Sequence, residues 1–320
     1  MTINLRPIYL IAVFLVLAAT SMATRYAHAL DILEPSNNSQ NQGDMVLFPG
    51  NLGALVSHDK QDPRTGAPGS KAGIHMPGTG YRAGSGWWAL VCDAGEDLSD
   101  EKKGCRLSGT QLSIAKAKHA VYDSEPVASQ LLYWSPLPAD LDKVAHEGEK
   151  RPKLIMVFKP LRSLANLKLS AGSVTTYVHS GMSQYPATAR PGTLEVRLSM
   201  GNGRYADVVP RIKKITARKD EGQTSTSAPN IATFELRMGN LRQKLPGFSF
   251  SAIEATGYLR PSDYLLWAGD LDGDGKPDLL IRHGDSDIDV ALYLSSLAKD
   301  GELVGLAGRL QYSDPSSAGC

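Results

Sequence analysis

"TLEVRLSM" (Thr193–Met200) decides the fold class. Leu194, Val196, Leu198 and Met200 alternate with Glu195 and Arg197, the period of a strand with one face buried and one wet. "ATFELRM" (Ala232–Met238) repeats the pattern with Phe234, Leu236 and Met238 as the apolar set. "KLIMVFK" (Lys153–Lys159) and "SVTTYVH" (Ser173–His179) read as extended segments. Breaks such as "ARPG", "MGNG" and "KDEGQTSTSAPN" separate these runs, with the residues that turns require. Helical periodicity is scarce; "PADLDKVAHEG" (Pro138–Gly148) is one short turn or two. Short strands at near-regular spacing predict an all-β protein, an antiparallel sandwich or barrel-like assembly.

The ends and the composition narrow the class. Ile8–Ala19 is an uncharged apolar run preceded by Arg6, shorter than the ~20 residues that span a bilayer. Small residues follow, and Ala27-His28-Ala29 fits the A-x-A cleavage rule, with cleavage after Ala23 as the nearer alternative. Residues 1–29 are therefore expected to be a signal peptide, and the mature chain to be secreted or periplasmic with no membrane segment. The 320-residue chain is 42% hydrophobic with a net charge of +1. That is enough to build a core, and it offers no basic footprint for nucleic acid. "RIKK" (Arg211–Lys214) is the densest basic cluster and suits the wet face of a strand.

Residues 30–86 read as a polar, Gly-rich lead-in that buries too little to offset its ordering entropy, although "MVLF" and "LGALV" each add a strand. A β domain is expected over 87–218, a linker over 219–230, and a second β region over 231–320. Three cysteines occur. Cys92 and Cys105 flank a polar loop and form the expected disulfide, worth ~3 kcal/mol on the chain-entropy model. Cys320 is left as a free thiol, an intermolecular link, or the partner of one of the other two.

The sharpest chemical signal is "GDLDGDGKPDLL" (Gly269–Leu280). Asp270, Asp272 and Asp274 stand at loop positions 1, 3 and 5, whose side chains converge when a chain wraps a cation, and Gly275 follows at the sharp turn. The carbonyl of Lys276 takes position 7 and Asp278 position 9. This is a ligand set for calcium, a hard cation that takes six to eight oxygens. A bare Asp-Gly turn accounts for one Asp and one Gly and leaves three crowded carboxylates unexplained.

An EF-hand also wants Glu at position 12 and helices on both sides; here position 12 is Ile281 and both flanks are strand-like. The run resembles instead the calcium loop of FG-GAP/VCBS-type repeats, the integrin-alpha-like β-hairpin motif. Asp270, Asp272, Gly273, Asp274, Gly275, Asp278 and Leu279 carry the match, which covers about residues 264–296. The resemblance implies a calcium-stapled β-hairpin near the C-terminus. Propellers of this class need several copies, and the closest second candidate, "MGNGRYADVV" (Met200–Val209), has only Asp207. "HGDSDIDVALYL" follows, with Asp285, Asp287 and Asp289 as the solvated face of a hairpin or a second acidic ridge.

Catalytic signatures are weak. S-x-x-K recurs at Ser57/Lys60, Ser99/Lys102, Ser113/Lys116 and Ser296/Lys299 without the companion motifs. His119, His146, His179 and His283 show no zinc spacing, and Trp87 and Trp88 read as core. The preferred expectation is an exported, non-enzymatic β-protein whose calcium is structural. The alternatives are a cell-surface or carbohydrate-recognition module, with a surface glycan or protein as partner, and a secreted hydrolase on a β scaffold.

Overall fold

The protein is described by a computed structural model over residues 41–50, 70–77, 81–93, 104–119, 127–137, 153–179, 195–214, 229–247, 261–283 and 288–312. The expected signal peptide, "LGALV", the "PADLDKVAHEG" segment, residues 219–228 of the expected linker and Cys320 lie outside these residues, while Pro229 and Asn230 open a strand. Strands β1 (Asn41–Gly43), β2 (Met45–Pro49), β3 (Ser70–Pro77), β4 (Gly84–Cys92), β5 (Cys105–His119) and β6 (Val127–Leu137) come first. They are followed by β7 (Lys153–Pro160), β8 (Gly172–His179), β9 (Val196–Ser199), β10 (Tyr205–Lys214), β11 (Pro229–Met238) and β12 (Leu241–Pro246). The last four are β13 (Leu265–Asp270), β14 (Asp278–Arg282), β15 (Ile288–Leu294) and β16 (Gly305–Tyr312). The fold is nearly all β, and every strand pairing is antiparallel.

The larger sheet runs β1-β16-β15-β14-β13-β8-β5-β4-β7-β2, with β6 and β3 branching from the far half of β5. Its two ends are consecutive in the chain. β1 pairs with β16, β2 pairs with β7, and only Asp44 separates them. The sheet is therefore a nearly closed barrel, the arrangement that removes exposed strand edges. Cys92 and Cys105 stand directly opposite each other on β4 and β5 and form the expected disulfide.

A four-stranded sheet, β12-β11-β10-β9, packs against the outside of this wall. The alternation in "TLEVRLSM" serves that contact. Val196 and Leu198 are buried with Val208, Phe234, Leu236 and Leu245 against Ala268, Leu279, Ile281, Ala291 and Tyr293 of the wall. The intervening residues of the wall, Trp267, Leu280, Val290 and Leu292, point into the other core. "LLI" (Leu279–Ile281) is continuously apolar because β14 is covered on both faces. In the second core Phe48, Trp87 and Trp134 cluster with ring centroids 4.9 to 5.9 Å apart, so Trp87 is a core residue. Such aromatic contacts add ~0.5–1.5 kcal/mol each beyond area burial.

The segment 41–49 of the expected lead-in supplies β1 and β2, including the "MVLF" strand. β8 hydrogen-bonds to β13, and β10 to β11, so strands on either side of residues 219–230 share both sheets. One reading needs correction. Asp289 is not on a solvated face: it is buried and bonded bidentately by Arg309 at 2.8 and 2.6 Å. Ala291 and Tyr293, the next residues on its face, bury against the small sheet, so the carboxylate is largely withdrawn from water and is matched by an arginine instead. Asp285 and Asp287 lie outside the described residues. Among the described residues, no helix is long and apolar enough to cross a membrane.

Candidate metal centre

Strands β13 and β14 form the hairpin on which the carboxylate loop sits, with Gly269 opposite Asp278 at its mouth. A Cβ at Gly269 would collide with the Trp267 ring and the Thr175 carbonyl, so β8 closes tightly on the first residue of the motif. Gly273 and Gly275 both hold φ of +76°, the left-handed region that a side chain disfavours. These two reversals bring the alternate aspartates inward. Of the five expected ligands, Asp270, Asp272 and Asp278 gather into one group, each with a carboxylate oxygen within 4.8 Å of the others.

Asp278 is the anchor. It is 0% exposed, and both its oxygens accept hydrogen bonds. The Leu271 amide donates to Oδ2 at 2.7 Å, the Ser295 amide to Oδ1 at 2.8 Å, and the Ser295 hydroxyl to Oδ1 at 3.1 Å. Asp270 Oδ2 accepts the Gly275 amide at 2.9 Å. The remaining oxygens of the group are different. Asp270 Oδ1 and both oxygens of Asp272 are buried without a hydrogen-bond partner.

Asp274 does not join the group. Its Oδ1 accepts the Lys276 amide at 2.8 Å and the Ser295 hydroxyl at 2.9 Å, and its Oδ2 lies 4.0 Å from Lys276 Nζ. Asp274 thus caps the turn and ties it to Ser295. Lys276 enters the expected set through its carbonyl; the contacts fixed in the structure are those of its amide and its ammonium with Asp274.

The electrostatics follow from this crowding. Burial, then the charge of Asp272, pushes the Asp278 carboxyl up to about 8, against the pull of the Ser295 and Leu271 hydrogen bonds. Asp272 is raised as well, first by burial and then by Asp274 and Asp270. The Ser296 hydroxyl and the Asp274 amide offset that rise in part, without making a hydrogen bond of normal geometry. Tyr177 on β8 reports the same field: its phenol is pushed up to about 12 by burial and by the charges of Asp270, Asp278 and Asp274. The loop on its own therefore holds more negative charge than its protein neighbours compensate, the condition that a bound cation reverses.

Three contributors were missed at the level of sequence. Ser295 stands 17 residues beyond Asp278, Tyr177 comes from another strand, and Arg204 donates to the Gly275 carbonyl at 3.4 Å from the β9–β10 turn. No local motif marks them. Of the isolated histidines, His283 is buried beside the Tyr293 hydroxyl, 3.3 Å from Nε2, and has the environment of a core residue. Comparison with protein-family models, with curated proteins and with solved structures gives no match for this chain.

Proposed function

We propose that this is an exported β-protein in which the Gly269–Leu280 loop holds one calcium ion in a structural role. The observation that carries the reading is the set of three buried, unpartnered carboxylate oxygens, Asp270 Oδ1 and Asp272 Oδ1 and Oδ2, grouped with the fully buried Asp278. A buried carboxylate oxygen without a partner costs a few kcal/mol, and three in one loop call for a cation. An all-oxygen, mostly carboxylate set suits a hard ion. Two oxygens on opposite sides of a calcium ion stand about 4.6–5.2 Å apart, which the spread within 4.8 Å accommodates.

A calcium ion here fastens β13 to β14 and, through Asp278, to the Ser295 turn that follows β15. These are the strands that the small sheet packs on, so the ion supports the interface between the two cores. Extracellular modules typically bind calcium at ~10⁻⁴–10⁻³ M, a range suited to an environment outside the cytoplasm, and the Cys92–Cys105 disulfide supports export. Calorimetric titration of the chelator-stripped mature chain with calcium tests the reading. One site with a dissociation constant in that range, lost in Asp272→Ala, is the expected result; no heat of binding up to 10-fold above that range overturns it.

A further inference from the structure

The small sheet carries two hairpin turns of nearly the same sequence. Met200–Arg204 reads "MGNGR" and spans the turn between β9 and β10; Met238–Arg242 reads "MGNLR" and spans the turn between β11 and β12. The two differ only at the fourth residue, Gly203 against Leu241. Asn202–Gly203 is the one Asn-Gly step in the 320-residue sequence. A glycine after an asparagine lets the backbone nitrogen reach the asparagine side chain, because no Cβ stands in the way.

The β9–β10 turn is open to that reaction. Asn202 and Gly203 are exposed, and a Cβ built at Gly203 would meet nothing within 4 Å. Among the described residues, neither the Asn202 side chain nor the Gly203 amide has a hydrogen-bond partner. The turn is closed on its flanks: the Met200 amide donates to the Arg204 carbonyl and the Arg204 amide to the Gly201 carbonyl, each at 3.0 Å. Asn202, at φ +52°, is the one non-glycine residue with positive φ among the described residues, and Gly203 holds +69°. Positive φ at both central residues is the type I′ pattern. Turning over the peptide between them gives type II′ and keeps the closing bond, while ψ of Asn202 swings from about +30° to about −120°. At that ψ the Gly203 nitrogen lies beside Cβ of Asn202, in the arrangement of a five-membered ring. Gly203 accepts the negative φ of the second form without a steric penalty.

We propose that Asn202 is a site of spontaneous deamidation. The Gly203 nitrogen attacks Cγ of Asn202 and forms a new C–N bond. The bond from Cγ to the side-chain nitrogen breaks, and that group leaves as ammonia with the proton of the Gly203 amide. Water then adds to one of the two carbonyls of the resulting succinimide and breaks its bond to nitrogen. Opening at the side-chain carbonyl leaves aspartate; opening at the main-chain carbonyl leaves an isoaspartyl linkage. Nothing is oxidised or reduced, and water is the only co-reactant. The isoaspartyl form adds a methylene to the main chain, so the turn no longer fits the Ser199–Tyr205 pairing beside it. It also shifts Arg204, whose guanidinium reaches the Gly275 carbonyl at 3.4 Å. The hairpin that this turn closes packs Val196, Leu198, Ala206 and Val208 on the wall. Deamidation therefore loosens the contact between the two sheets.

The test is incubation of the mature chain for several weeks at neutral pH, in chelator so that calcium plays no part. Trypsin digestion at mildly acidic pH, where the reaction is slow, then releases Leu198–Arg204 and Met238–Arg242 for mass spectrometry. The expected result is a gain of one mass unit in Leu198–Arg204, split between two species of equal mass. It proceeds roughly tenfold faster than at Asn240, whose following Leu241 side chain raises the barrier. Gly203→Ala slows it by a similar factor. The aged parent unfolds at lower urea concentration than the fresh chain, and the equally aged Gly203→Ala chain keeps its own midpoint. Equal rates in the two peptides of the parent, or conversion only in the urea-unfolded chain, overturn the proposal. Full conversion with an unchanged midpoint overturns the link to the packing of the two sheets.

Discussion

The Ser295 amide and hydroxyl both donate to the same oxygen of Asp278, at 2.8 and 3.1 Å. The hydroxyl also lies 2.9 Å from Asp274 Oδ1, so one serine outside the motif fixes two of its aspartates. Ser295→Ala keeps the amide bond and removes the hydroxyl. The expected loss is about 1–2 kcal/mol of stability, measured by urea unfolding in chelator, together with a weaker calcium titration. Unchanged values of both would mean that Ser295 is not a support of the loop.

Asp272 separates the cost of the loop without a cation from its use with one. Its carboxyl is raised by burial and by neighbouring charges, and neither oxygen has a partner. Asp272→Asn removes the charge at almost the same volume. In chelator the variant is expected to be more stable than the parent by about 1 kcal/mol, and in saturating calcium less stable, because it loses the mass-action contribution of the ion. The measurement is a melting series in both buffers; curves that keep the same order in both remove the ion from the account.

The alternation at Val196–Ser199 and in "ATFELRM" made strands β9 and β11 legible, because a half-buried strand writes its two faces into alternate residues. β14 was legible as a strand-like flank of the aspartate loop; what covers its second face is the sheet formed by β9, β10, β11 and β12, far along the chain. Closure of the barrel was not legible. It depends on a three-residue strand, Asn41–Gly43, finding β16, a long-range pairing with almost no local signature. The crowding of aspartates was visible in the motif, yet its division was not. Asp274 turns to Ser295 and the Lys276 amide, and that choice rests on the turn that follows β15. Likewise Arg197 and Arg237 each read as a wet strand position, and only register puts them in one row with Arg242.

Gln243 ties the two sheets. Its Oε1 accepts the Leu303 and Val304 amides at 2.7 and 2.9 Å, and its Nε2 donates to the Val304 carbonyl at 2.8 Å. The backbone before β16 thus has β12 as its hydrogen-bonding partner through one side chain. Gln243→Ala leaves these groups unpaired and is expected to cost about 2–4 kcal/mol. Gln243→Glu retains the two acceptor contacts and loses the donor, so it falls between. Equal stability of all three chains by urea unfolding would remove Gln243 as a clasp.

His283 gives the chain a specific acid sensitivity. It is 6% exposed, and burial lowers its imidazole to about 4, with Arg309 pushing the same way and Asp289 and the Gly247 backbone opposing. Tyr293 lies at Nε2, its own phenol pushed up to about 12 by burial. In the unfolded chain the imidazole titrates near 6.5, so below that pH the unfolded state binds more protons than the native one. The contribution of the neutral histidine is therefore complete above pH 6.5 and is lost as pH falls toward 4. The linkage amounts to about 2 kcal/mol by pH 5 and roughly 3 kcal/mol by pH 4. Urea unfolding of the parent and of His283→Phe at pH 7 and pH 5 isolates it, since Phe retains an aromatic ring and carries no titrating group. The parent should lose that stability between the two pH values and the variant should not. An equal loss in both would assign the acid sensitivity to the carboxylates instead.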